Sequence, residues 1–183
     1  QRVYCAIMAP VCTPYGPRGS MNRVINPETW KASDRLARPV AIFCGHVALL
    51  QLDKGLHFIC EQPCPSKLFE INPWPQVLRR PHVTQQPYDR CMAQLKVFRG
   101  PFKGYHIKKH SSMTGSHPII VCRFCGLACK GRHEHLVLEG RSKERRDAQV
   151  WTWDEAARVI EGIILMKRHE RRYGKGGEQQ PEA

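Results

Sequence analysis

An α/β fold is predicted for this chain, on three observations. Two short apolar runs, Val3–Met8 and Leu56–Cys60, have the length of strands and lie about fifty residues apart. Between them Leu36, Val40, Phe43, Val47 and Leu50 recur at steps of four, three, four and three, the period of an amphipathic helix. A strand, a helix and a strand at that separation make a βαβ unit, whose crossover is expected to be right-handed. A later amphipathic stretch, Ala156 to Met166, adds a second packing helix.

The elements follow in order. Residues 2–9 read as a buried strand, and 10–27 as a loop punctuated by Pro10, Pro14, Pro17 and Pro27. Residues 28–54 read as helical, with a kink or break expected at Pro39. Gly55 stands where a C-terminal cap belongs. The second strand, Leu56–Cys60, runs into Pro63 and Pro65. A short helix is expected around Trp74–Leu78, then strands at Val83–Gln86 and Cys91–Phe98 around Tyr88-Asp89-Arg90. Residues 99–118 are polar, basic and Gly-rich and read as a loop, followed by a short strand at Ile119–Val121. The last helix starts at Thr152, which has capping-box spacing to Glu155; Ala156, Val159, Ile160, Ile163 and Met166 form its buried face. Trp151 and Trp153 are expected to staple it to the sheet. This divides the chain into a core-like α/β segment (1–98), a basic Cys/His-bearing insertion (99–147), a helix packing on the core (148–169) and a disordered tail (170–183).

Composition narrows the function. The chain has 183 residues and a net charge of +13. Residues 99–146 alone hold eleven Lys and Arg against Glu134, Glu139 and Glu144. That concentration favours a polyanionic partner, most simply nucleic acid. No run of eighteen apolar residues exists, so no membrane span is expected. Nine unevenly spaced cysteines beside apolar helices read as reduced and intracellular rather than as a secreted disulfide framework. The chain begins without Met or a signal-peptide pattern, as a piece of a longer protein would.

Two constellations carry chemistry. In the first, Cys12 lies in the loop after the first strand and Glu61 just past the second. Ligands of open α/β sheets bind outside the carboxyl ends of the strands, so the two can share one site. A thiolate there is a nucleophile, and a loop entering a helix can lower its pKa. The second is Cys122-x2-Cys125-x3-Cys129-x3-His133-x-His135, whose thiolates and imidazoles suit tetrahedral zinc. Cys122 and Cys125 would form a knuckle, completed by Cys129 and either His133 or His135. Lys130 and Arg132, inside the cluster, are placed to touch a nucleic-acid backbone. His106, His110 and His117 are irregularly spaced and read as solvated, and Asp89 reads as a turn former.

The stretch Ile7-Met8-Ala9-Pro10-Val11-Cys12-Thr13-Pro14-Tyr15 resembles the catalytic-cysteine motif of cytosine-C5 DNA methyltransferases. Phe58-Ile59-Cys60-Glu61-Gln62-Pro63 resembles their Glu-Asn-Val motif, in a form with Pro last. The downstream order is similar to methyltransferase-like reading frames of mobile elements. It runs Asp89-x-Cys91, Gly100, Lys109 before Ser111-Ser112, then Cys129-x3-His133-x-His135. The resemblance covers residues 3 to 165. It implies part of a Rossmann-like, S-adenosylmethionine-dependent methyltransferase core acting on DNA, in the nucleus if the host is eukaryotic. Cys12 would attack C6 of a flipped cytosine, Glu61 would contact N3 and the exocyclic amine, and Pro10 would face the cofactor. Lys108 and Lys109 would pair with nucleic-acid phosphates or assist at the ring, where the family uses an arginine pair. Val11 separates Pro10 from Cys12, and Gln62 replaces Asn. The glycine-rich cofactor loop is missing, which implies an upstream cofactor-binding segment. Two rivals are a zinc-dependent nucleic-acid-binding module of a mobile-element polyprotein and a cysteine hydrolase. The hydrolase needs a histidine beside Cys12.

Overall fold

The computed structural model describes residues 3–136 and 148–174. The two apolar runs pair as parallel strands, β1 (Cys5–Met8) and β2 (His57–Pro63), with Met8 opposite Cys60. Between them run α1 (Pro17–Ile25) and α2 (Pro27–Asp53). There follow α3 (Trp74–Leu78), β3 (Thr84–Asp89), β4 (His106–Ile107) and β5 (His110–Gly115). The remainder is α4 (Pro118–Val121), β6 (His135–Leu136) and α5 (Trp153–Tyr173). The fold is mixed α/β, with a four-stranded sheet in the order β1-β2-β5-β3 and a two-stranded parallel pair β4-β6. Strand β5 runs antiparallel to both neighbours.

The sheet is covered on both faces, which is why β2 is buried along nearly its whole length, with the apolar run Phe58–Cys60 at its centre rather than an alternating pattern. Its side chains still alternate. Phe58 and Cys60 join Ala37, Ala41, Leu68 and Trp74 on one side, while Ile59 joins Tyr88, Met113, Ile120, Phe124 and Val159 on the other.

Several expectations change here. The loop expected over 10–27 contains α1. Pro39 lies within an unbroken α2. Pro39 is exposed, so the carbonyl it leaves without a helical donor can bond water. The stripe Leu36, Val40, Phe43, Val47 and Leu50 does not face the core: Leu36 is 80% exposed and Phe43 66%. The buried stripe is Ala37, Ala41, Cys44, Gly45 and Ala48. Small side chains allow the helix to approach closely: a Cβ on Gly45 would stand 2.8 Å from Pro73 Cδ. By length and composition α2 could also cross a membrane, yet its small-residue face packs as the crossover helix of the sheet.

Residues 91–98 form a 3-10 turn and coil rather than a strand, and Ile119–Val121 is helical. The largest change is β5. The stretch read as the start of an insertion supplies a central strand, so the sheet crosses the expected boundary at residue 98. Gly55 has φ +60° just past the helix, as a C-terminal cap requires. The capping box of α5 is present, with Thr152 and Glu155 bonding each other's backbone N–H. Val159 and Met166 are buried, but Ile160 is 56% exposed. Trp151 packs in the core; Trp153 is exposed. The expected tail is helical up to Tyr173, and residues 175–183 lie outside the described ones.

Candidate functional site

The register places four chain segments at one rim of the sheet. Glu61 follows the Met8–Cys60 pair, opposite Met113, while Asp89 pairs with His110 where β5 begins. The Cys12 loop leaves β1 at that same rim. It is closed by backbone bonds from Tyr15 N and Gly16 N to Cys12 O, both 3.0 Å. Gln62 holds it from below: this buried amide donates to Pro10 O at 2.8 Å and accepts from Ser66 Oγ at 3.2 Å. The Gln62 side chain therefore buttresses the loop. Helix α1 presses on it too, since a Cβ on Gly19 would meet Pro14 backbone atoms at 2.4 Å.

Cys12 lines a cleft of about 300 Å³ together with Arg18, Pro63, Lys108, Lys109 and His110. Cys12 and Lys109 also interact electrostatically with the buried Glu61 and Arg90, which do not line the cleft. Burial pushes the Cys12 thiol up; Lys109 pulls it back, Glu61 adds to the rise, and a backbone hydrogen bond and Arg90 oppose it. The net direction is upward, so entry into α1 does not by itself produce a thiolate. Burial pulls the Lys109 ammonium down, and Arg90 adds to this against Glu61 and Cys12. Glu61 is 6% exposed, and its Oε1 has no hydrogen-bond partner among the described residues. A buried carboxylate oxygen left this way is costly unless something completes it.

The rim is anchored from behind. Arg90, fully buried, bonds Glu155 through Nε and Nη2 at 2.5 Å each, Ala148 O at 2.6 Å and Val150 O at 2.8 Å. His110 lines the Cys12 cleft but makes no hydrogen bond to the thiol among the described residues; its Nδ1 lies 2.9 Å from Asp89 Oδ1. The hydrolase reading therefore still lacks a base paired to its nucleophile. A larger cleft, about 610 Å³, lies behind the same loop; its Tyr15 hydroxyl has no hydrogen-bond partner among the described residues, but several other polar groups there are engaged. Arg38 pairs with Asp34, Lys67 with Glu70, and Trp30 Nε1 donates to Pro14 O.

A second group of ligand-capable atoms lies beyond Asp89. Cys91, Cys129, His133 and His135 bring their ligand atoms within 4.8 Å of one another. Cys129 Sγ lies 3.6 Å from His133 Nε2 and 3.4 Å from His135 Nε2. Tetrahedral zinc, with Zn–S near 2.3 Å and Zn–N near 2.0 Å, requires an S···N edge of about 3.5 Å. Burial pushes the Cys91 thiol up to about 12, and Cys129 beside it adds to the rise. A divalent ion reverses that balance, because it favours the thiolates. Gly131 N donates to Cys129 Sγ at 3.4 Å, and the His106 ring stacks on His133 with centroids 4.0 Å apart.

This set differs from the one expected. Cys129, His133 and His135 belong to it, but Cys122 and Cys125 do not. Both are exposed, Cys122 donating to Ile119 O and Cys125 to Gln86 Oε1. Cys91 takes their place from a segment nearly forty residues away. Its only signal in the sequence was the Asp89-x-Cys91 pattern. Lys130 and Arg132 are exposed on the ligand loop. Neither His106 nor His117 is simply solvated. The first sits beside Cys91 O at 3.1 Å; the second caps α4 by accepting from Ile119 N at 3.2 Å. The chain matches no protein family, no curated protein and no solved structure.

Proposed function

We propose that this chain is a cytosine-C5 methyltransferase-like protein that captures a pyrimidine base of nucleic acid through Cys12. One observation carries the reading. A half-buried thiol, a buried carboxylate with an unpartnered oxygen and a lysine within electrostatic reach of both meet at one sheet rim. The mixed sheet is compatible with the second part of a Rossmann-like core. In the proposed step the Cys12 proton leaves to water and Sγ bonds to C6. The C5–C6 double bond opens, and the charge that develops at N3 takes a proton from the Glu61 carboxyl. C5 then takes a solvent proton, and reversal expels Cys12 with loss of the original C5 hydrogen.

S-adenosylmethionine is the donor that the resemblance implies, but the described residues do not fit its site. The first βα turn is the Cys12 loop and not a glycine-rich one, and the carbonyl of Pro10 is taken by Gln62. The chemistry of these residues stops at the base adduct.

The test needs no donor. Cytosine oligonucleotides tritiated at C5 should release tritium to water with the wild type, and not with Cys12→Ser. Absence of release from the wild type, or release that survives Cys12→Ser, rejects the reading.

A second reading is favoured by the ligand group. Zinc held by Cys91, Cys129, His133 and His135 would order a basic loop that presents Lys130 and Arg132 to nucleic-acid phosphates. Fresh protein should then contain about one equivalent of zinc; less than about half an equivalent argues against it. Charge reversal at Lys130 and Arg132 should weaken nucleic-acid binding.

A further inference from the structure

We propose that the Cys91–Cys129–His133–His135 metal site is the clamp that holds Lys109 against Cys12 and Glu61, with Asp89 as the positioning residue between the two sites. The inference rests on the zinc reading and not on the base chemistry.

Lys109 is bracketed by attachments to the ligand loop. On its N-terminal side, β4 pairs with β6 in the register His106 to His135 and Ile107 to Leu136, and Lys108 N donates to Leu136 O at 3.3 Å. On its C-terminal side, His110 Nδ1 lies 2.9 Å from Asp89 Oδ1, and Asp89 Oδ2 accepts from the Cys129 backbone N–H at 2.7 Å. Asp89 N also donates to Leu127 O at 2.8 Å, and Arg90 N donates to Lys109 O at 3.0 Å. One carboxylate thus ties the first residue of β5 to a ligand of the metal group.

The ligand loop has little else to hold it. No residue from 125 to 136 is fully buried; Leu127 and Leu136 pack half-buried against apolar clusters, and the ligands Cys129, His133 and His135 lie on the stretch between them, which has no such contact among the described residues. Gly126 and Gly131 take positive φ, 77° and 70°, which shapes the loop without anchoring it. Four ligand bonds to one ion would supply the missing constraint. Without them the lysine keeps two bonds from the other side, Arg90 N to its backbone O at 3.0 Å and its own Nζ to Ala148 O at 3.2 Å, and loses the brackets that end on the ligand loop. Held from one side only, its ammonium would be kept less closely beside the thiol.

The test reads Cys12 directly, by site-resolved alkylation with iodoacetamide across pH on the zinc-loaded full chain. Lys109→Met sets the reference, with a Cys12 profile displaced to higher pH. Chelation of the wild type should move its profile to that reference, about tenfold slower at a given pH for a displacement of one unit, and added zinc should restore it. Asp89→Ala should do the same while keeping its zinc, and Asp89→Asn should lie between. Neither chelation nor Asp89→Ala should slow Lys109→Met further.

A wild-type profile indifferent to chelation overturns the proposal, as does a wild type without zinc. Additive slowing in Lys109→Met also overturns it. Zinc lost from Asp89→Ala overturns the role given to Asp89. If Asp89→Ala does not fold, chelation and zinc return decide. The assay contains no nucleic acid, so failure of tritium release leaves it standing.

Discussion

Two carboxylates buried in this molecule are treated in opposite ways. Glu155, with no exposure, receives Arg90 Nε and Nη2, the Tyr88 hydroxyl and the Thr152 backbone N–H. Glu61 is almost as deep, yet its Oε1 receives nothing. Glu155 sits where α5 docks, and every lone pair it offers is used to fix that docking. Glu61 sits at the same rim of the sheet as the Cys12 loop, within electrostatic reach of Cys12 and Lys109. Saturated hydrogen bonding marks a group that holds the fold, and a buried acceptor left unmet is one that a ligand could complete.

The strongest way to break this contrast is Arg90→Met. It leaves Glu155 buried without its cation and should cost about 3–5 kcal/mol in a denaturant titration. A loss below about 1 kcal/mol would mean that the network does not anchor α5.

A smaller effect comes from the opposite end of the sheet. Burial, with His82, His169 and His57 adding to it, lowers His117 to about 4, and Glu170 opposes this. The ring accepts from Ile119 N and must be neutral to do so. The unfolded chain therefore binds the extra proton first. Stability should fall as pH drops from about 6.5 towards 4, by roughly 1 kcal/mol after discounting for partial exposure. His117→Asn, which keeps an acceptor but does not titrate, should flatten that window. An unchanged slope would remove His117 from the account.

The smallest effect on stability is expected at Glu61. Glu61→Gln is nearly isosteric and breaks no side-chain hydrogen bond among the described residues, so the unfolding free energy should stay within about 0.5 kcal/mol of the wild type. Tritium release should nonetheless fall at least tenfold, since an amide has no proton of comparable acidity to give N3. A large stability loss would show that Glu61 is structural after all.

Much of this was legible in the chain. The paired apolar runs, the helix between them and the Thr152–Glu155 cap each depend on local pattern, and each formed. Cys12 and Glu61 come to the same rim of the sheet, within electrostatic reach of each other, because strand order and register settle where loop ends fall. Strand β5 was not legible. Its sequence His-Ser-Ser-Met-Thr-Gly is polar, yet all but the first residue is buried, so no apolar rhythm marks it. Helix α2 carries two stripes of the same period, and periodicity cannot say which faces inward. Side-chain size decided, because Ala and Gly allow an approach that Leu and Phe would block. Cys91 escaped for a different reason. Ligand spacing is read along the chain, and this one reaches its partners through the fold.

The outward stripe of α2 has a colloidal consequence. The closely packed neighbour α3 lies on the Gly45 side of the helix, so Leu36, Val40 and Phe43 point away from it, and β1 beneath has no strand on its outer side among the described residues. Molecules carrying such a flank would stick together if they met freely, and the excess of thirteen positive charges keeps them apart. Dissolved salt therefore works against this protein. At 1 M the reach of that repulsion shrinks to about 3 Å, and greasy flanks can then touch.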